Sequence, residues 1–115
     1  LILAQNKVMS LLGIAMKAGK IASGEFSVEK SVKEKKAYLV LVAMDASDNT
    51  KKKFRNMCTY YKVPMYIISD KFELGHGIGR EMRAMVSVLD EGFKNAIMKQ
   101  LDENNGGSKY GENED

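Results

Sequence analysis

Two lysine-bearing stretches stand out among the residues that could do chemistry. The first is Lys17-Ala18-Gly19-Lys20-Ile21-Ala22-Ser23-Gly24, which feeds a segment carrying Glu25, Phe26, Ser27, Lys30 and Lys33. If a helix opens just after Gly24, its first amide N–H groups lack intrahelical partners and its dipole makes that end electropositive. Flanking lysines add full charges, so such an end can hold a phosphate backbone and sit in a groove. The second stretch is Lys51-Lys52-Lys53-Phe54-Arg55. Phe54 belongs to an apolar helical stripe, so taken alone the surrounding cations read as a solvated helix face. The chemistry on offer is anion binding.

Bond-making chemistry finds little support. Gly75, Gly77 and Gly79 have the spacing of a phosphate-binding loop, but they follow a helical segment, and no lysine-serine or lysine-threonine pair succeeds them. His76, the only histidine, has neither a metal cluster nor a Ser-His-Asp arrangement around it and reads as a surface or loop residue. Cys58 shares a stripe with Phe54 and Met57, the pattern of core packing. Glu29 and Lys33 stand four residues apart, the spacing of helix-supporting pairs. No enzyme is expected, and no cofactor or metal.

The elements that must position the cations follow from periodicity. Val8, Leu11, Leu12 and Ala15 form an amphipathic helix from about residue 4 to 18, closed by Gly19. Ile21-Ala22-Ser23 suffices for a brief edge strand, and the helix after Gly24 turns Val28 and Val32 inward. The unbroken run Tyr38 to Ala43 reads as a strand covered on both faces. Ser47, Asp48 and Asn49 are cap candidates for a helix with Phe54, Met57, Cys58 and Tyr61 inward, ended by Pro64. A strand from Met65 to Ile68, a short helix through Leu74 and Ile78 interrupted by glycines, a strand from Met85 to Leu89 and a helix capped by Asp90 complete the body. The order α-β-α-β-α-β-α-β-α predicts an α/β fold, a three-layer α/β/α sandwich around a four-stranded mixed sheet.

Charge divides the chain. Residues 1–101 hold 17 basic and 10 acidic groups, a net of +7, whereas residues 102–115 carry five acids against Lys109. A body this basic suits a polyanionic partner. The tail, polar and glycine-rich, is expected to be flexible. With 115 residues and 44% apolar content, one folded domain (1–101) is expected. A lone cysteine fits a reducing, cytoplasmic setting, and the polar breaks in the apolar opening leave no spanning segment.

Three stretches carry a resemblance: LLGIAMKAGKIASGE at 11–25, LVLVAMDASDNTKKKF with NMCTYYKVP at 39–64, and ELGHGIGREMRAMVSVLDEGF at 73–93. Together they resemble the kink-turn-binding ribosomal protein family (the L-seven-Ae and L-thirty-e family), nearest to its bacterial YlxQ-type branch, over residues 4–101. The resemblance implies recognition of kink-turn RNA, a helix sharply bent at a bulge beside sheared G·A pairs. Ordinary A-form RNA has a major groove too deep and narrow for side chains; the kink opens it to a helix end. Position by position, Gly24 corresponds to the family glycine that starts the reading helix and Lys30 to its lysine six residues later. Gly79-Arg80-Glu81-Met82 corresponds to the turn that packs against the bulged nucleotides. Lys17 and Lys20 join the candidates on charge and sequence proximity alone. The family's strongest binders have an Asn-Glu pair where this chain has Phe26 and Ser27, and an apolar residue where it has Arg80.

The expected function is therefore non-catalytic binding of structured RNA, a kink-turn or similar bend in ribosomal or regulatory RNA, by a ribosome-associated monomer that needs no membrane. The absent Asn-Glu pair and the acidic tail keep a protein–protein adaptor of the translation machinery in play. A fragment of an RNA-modifying enzyme lacks a second domain and a cofactor motif.

Overall fold

The computed structural model describes residues 2–104 and 108–110. In chain order they form α1 (Ile2–Lys17), β1 (Ile21–Ser23), α2 (Glu25–Lys33), β2 (Leu39–Val42), α3 (Asp48–Tyr61), β3 (Met65–Ile67), α4 (Lys71–Gly77), β4 (Met85–Val88), α5 (Glu91–Asn104) and β5 (Ser108–Tyr110). The strands lie in the order β1-β4-β2-β3-β5. Only β2 and β3 run parallel; the β1–β4, β2–β4 and β3–β5 pairs are antiparallel. No described helix is long and apolar enough to cross a membrane.

The three expected layers follow from strand alternation, which sends neighbouring side chains to opposite faces. Leu39 and Leu41 of β2 and Val86 and Val88 of β4 point to one face and meet Val8 and Leu12 of α1, Leu74 of α4, and Ile97 and Leu101 of α5. Val40, Val42, Met65 and Met85 point to the other and meet Val28 and Val32 of α2 with Phe54 and Cys58 of α3. Every residue of β2 and β4 is buried, as strands covered on both sides require. On the α2 face, Ser87 would be an unmet polar group, but its hydroxyl lies 2.8 Å from that of Ser31, which also donates to the Val28 carbonyl at 2.7 Å.

Helix ends are set by local chemistry. Ser47 Oγ accepts from the Thr50 amide at 3.1 Å and starts α3. Lys62, left-handed at φ 61°, ends that helix two residues before Pro64, the residue expected to stop it. Asp70 and Asp90 accept from the amides of Glu73 (2.8 Å) and Phe93 (2.9 Å) and open α4 and α5. The glycines do not interrupt α4, which runs through Gly75. A Cβ at Gly75 would lie 1.4 Å from the Glu81 carbonyl oxygen, so this glycine lets the following chain press against the helix.

The residues expected as a flexible tail, 102–115, are described only in part. Asp102 to Asn104 continue α5, and Tyr66 Oη donates to Asp102 at 2.5 Å. Ser108–Tyr110 then adds to β3, with Tyr110 opposite Met65, so a fifth strand joins the four expected. The rest of the expected tail lies outside the described residues.

Candidate nucleic-acid interface

The turn from β1 into α2 demands an unusual backbone. Gly24 has φ 89° and ψ 157°, a region open essentially to glycine alone. Its N–H donates to the Met85 carbonyl at 3.1 Å and its carbonyl accepts from Val28 at 3.0 Å. No side chain caps α2, so the first-turn amides at Glu25, Phe26 and Ser27 face outward from the electropositive end of the helix. All three residues are exposed, and Phe26 is 81% accessible. Lys30, one turn further along the Phe26 face, is exposed too and forms no ion pair among the described residues.

The opposite flank of α2 is electrostatically closed. Lys33 Nζ lies 2.8 Å from Glu29, and Lys53 of α3 reaches Glu29 at 3.0 Å and Glu25 at 3.4 Å. The Lys33 and Lys53 ammonium groups hold the Glu29 carboxyl below its ordinary range, and Glu29 in turn raises Lys53. Lys33 is thus paired within α2 and Lys53 bridges α2 to α3, while Lys30 pairs with neither glutamate.

The second segment arrives from α4. Gly79, at φ 74°, turns the chain back along the helix it has just left. Arg80 N–H donates to Gly75 at 2.9 Å, and Arg83 N–H donates to Lys71 at 3.0 Å. Arg83 also donates through Nη1 to the Met82 carbonyl (2.9 Å) and through Nε to Ser23 Oγ (3.3 Å). That last contact fastens the turn to the end of β1, one residue before Gly24. Arg80, Glu81 and Met82 are exposed, and an open hollow of about 580 Å³ is lined by His76, Gly79, Arg80, Glu81 and Arg83.

Gly24, Glu25, Phe26, Ser27, Lys30, Gly79, Arg80, Glu81 and Met82 therefore share one end of the sheet. Lys17 and Lys20 do not join them. Leu89 N–H donates to the Lys20 carbonyl, and Ile21 pairs with Val88, whereas Ser23 pairs with Val86 beside Gly24. Strand β1 separates these lysines from the α2 tip by roughly 10 Å at 3.3 Å per residue. Close in sequence, they stand apart from the tip because a strand, not a turn, intervenes.

The contacts of Arg83 and Lys53 are not legible in the sequence, although Lys53 stands in the Lys51–Arg55 cluster. Both act across elements distant in sequence, and neither carries a local signal beyond its charge. Lys51, bonded to the Met44 carbonyl at 2.6 Å, Lys52 and Arg55 line a separate hollow of about 310 Å³ with Asp48, Met65 and Ile67. Cys58 is buried in α3, where desolvation pushes its thiol up to about 12 and leaves no thiolate for attack near neutral pH.

The model of the ribosomal protein L7Ae/L30e/S12e/Gadd45 family matches residues 6–98. The chain belongs to this family. It is 46% identical to the RNA-binding protein YlxQ of Bacillus subtilis over 80% of this chain and 92% of that one. It is 39% identical to the RNA-binding protein YlxQ of Enterococcus faecium, over 77% and 85% of the two chains. As the resemblance implied, this is a bacterial YlxQ-type member. A Bacillus halodurans protein of unknown function superposes with a TM-score of 0.81 at 34% identity, covering 84% of this chain and 97% of that one. The Giardia lamblia 15.5kD RNA binding protein superposes at 0.74 with 21% identity, over 87% and 86%, a likeness of fold.

Proposed function

We propose that this chain is a non-catalytic RNA-binding protein that recognises a kink-turn or a similarly bent structured RNA in association with the ribosome. One observation carries the reading: the uncapped N-terminus of α2 and the Arg80 turn are fastened side by side by the Gly24–Met85 and Arg83–Ser23 hydrogen bonds. A helix end with free amides attracts phosphate, and Lys30 and Arg80 add charge on either side of it. Family membership and relatives named as RNA-binding proteins support the same conclusion.

The recognition is of shape more than of base edges. Phe26 and Ser27 offer neither the amide nor the carboxylate that the Asn-Glu pair would bring to a G·A pair. Main-chain N–H groups, Lys30 and Arg80 remain, and these respond to closely spaced phosphates. Bending an RNA crowds its phosphates, at a free-energy cost that cations offset. The protein thus binds the kinked member of the RNA ensemble better than the extended one and shifts the population towards it.

Titrating a kink-turn RNA and a sequence variant unable to kink tests the reading. The kinked RNA is expected to bind at least tenfold more tightly, a difference of about 1.4 kcal/mol, and affinity is expected to fall steeply with salt. Equal affinities would remove the claim of bend recognition. The exposed Phe26 and Met82 favour one alternative, a protein-binding adaptor, which an association with ribosomal proteins that survives nuclease treatment would reveal.

A further inference from the structure

The interface above occupies one end of the sheet, and the other end carries a hollow of its own. Lys20, Leu89, Tyr38 and Pro64 stand in a row across that end. Leu89 N–H donates to the Lys20 carbonyl, Tyr38 N–H to the Val88 carbonyl and Val40 N–H to the Pro64 carbonyl. Beside this row, where α2 and α3 end and α5 begins, lies a hollow of about 310 Å³ whose lining includes Lys35, Lys62, Lys94, Tyr38 and Tyr61. Tyr38 is 43% accessible. Tyr60, 78% accessible, meets Tyr61 edge-on with ring centroids 4.9 Å apart. None of the three lysines forms an ion pair among the described residues. The neighbouring acid Glu34 faces Lys36 at 3.5 Å, and Asp90 is engaged with the Phe93 amide.

Ordinary helix chemistry explains these lysines only in part. A cation near a helix C-terminus complements the dipole, which suits Lys35 and Lys62. Both, however, have left-handed backbone, at φ 62° and 61°, where glycine would sit without strain. Lys94 lies in the first turn of α5, the end at which the dipole disfavours a cation. Three positions thus bring positive charge to one hollow, each against a local preference. Cations around a concave surface recognise phosphates, and accessible phenol rings beside them offer a face to nucleobases. Bases within a duplex are stacked on one another and do not reach such rings, so the complementary partner is an unpaired strand. An acidic peptide would engage the lysines and leave the rings idle.

We infer that this end of the sheet is a second RNA-contacting surface, which takes an unpaired RNA segment while the α2 tip holds a bent duplex. Lys35, Lys62 and Lys94 meet the phosphates of that segment, and Tyr38 and Tyr60 stack on its bases. The molecule, 31 Å along its longest axis, thereby joins two RNA segments across its own body. The inference goes beyond the bent-RNA reading, because its surface shares no residue with the α2 tip or the Arg80 turn.

Fluorescence anisotropy with a labelled single-stranded RNA of about 12 nucleotides tests it. The strand would be titrated with the full chain alone and with the chain saturated by unlabelled kink-turn RNA, and is expected to bind equally in both. A variant carrying Lys35→Gly, Lys62→Gly and Lys94→Gln is expected to weaken strand binding on the order of tenfold and to leave kink-turn affinity unchanged. Glycine suits both left-handed positions, so this variant keeps its fold, which its unfolding midpoint would verify. Tyr60→Ala is expected to lower strand affinity severalfold and Tyr60→Phe to restore it. Polyglutamate of equal charge is expected to bind more weakly than the strand. Strand binding that is indifferent to the lysine variant, or that kink-turn RNA abolishes, overturns the second surface and leaves the bent-RNA reading standing. Polyglutamate bound as tightly as RNA overturns it in favour of an acidic protein partner. Lysine-dependent strand binding by a chain that ignores kink-turn RNA upholds the second surface and overturns the bent-RNA reading.

Discussion

Helices α2 and α3 lie side by side on the same face of the sheet and bury their inner residues in the same cluster, yet their N-termini are finished differently. Helix α3 is closed: Ser47 Oγ accepts from the Thr50 amide and donates to the Thr50 hydroxyl at 2.9 Å. Helix α2 starts on a glycine that has no side chain to offer, and a bare phenylalanine stands in its first turn. A helix end that needs only to be stable is capped for about 1 kcal/mol. The uncapped end of α2, beside the turn that carries Arg80, is the surface proposed above to meet RNA. On that proposal the contrast separates residues that hold the fold from residues that meet RNA.

The largest effect expected from breaking this contrast is on the α3 side. Phe54→Ala removes a fully buried ring and is expected to cost about 3–5 kcal/mol of stability in urea unfolding. Phe26→Ala at the α2 tip is expected to stay within about 0.5 kcal/mol of the wild-type stability. Next comes Lys30→Ala, expected to weaken kink-turn RNA binding by about 1–3 kcal/mol in a low-salt titration while leaving the unfolding midpoint unchanged. Loss of stability without loss of affinity would reassign Lys30 to the fold.

A smaller effect is expected from Ser47→Ala, which uncaps α3. Stability should fall by about 1 kcal/mol, with RNA affinity unaltered. The smallest concerns the bridge between the helices. Glu29 is held below its ordinary carboxyl range by Lys33 and Lys53, so its contribution is present above the unfolded carboxyl range and is lost as pH falls through the depressed folded value. Thermal midpoints followed from pH 6 to pH 3 should therefore decline less for Glu29→Gln than for the wild type. A parallel decline would mean that the bridge contributes nothing to stability.

How much of this was readable beforehand depends on range. The α2 stripe of Val28 and Val32, the α3 stripe of Phe54 and Cys58 and the double-faced strand β2 are written in local periodicity, so the three layers follow directly. The Gly24 turn and the Gly79 turn were each legible from residue type and from the family resemblance. That Arg83 fastens one to the other was not, because a hydrogen bond between residues 23 and 83 depends on the register of β1 against β4. Lys17 and Lys20 show the converse, being near Gly24 in sequence and across a strand from it in space. Gly75 looked like a helix breaker because nothing local announces that Glu81 will lie against it. The Ser-Lys-Tyr segment of β5 has no hydrophobic alternation, and only the open edge of β3 recruits it.

The most direct measurement is an amide-resolved NMR titration of the isotope-labelled chain with kink-turn RNA. The amides of Glu25, Phe26 and Ser27 and those of Arg80 to Met82 are expected to shift together as RNA is added, while those of Asp48 to Thr50 at the capped start of α3 stay in place. Shifts concentrated around Asp48 to Arg55, or around Lys17 and Lys20, with the α2 tip unmoved, would contradict the assignment of the open helix end as the RNA-binding surface.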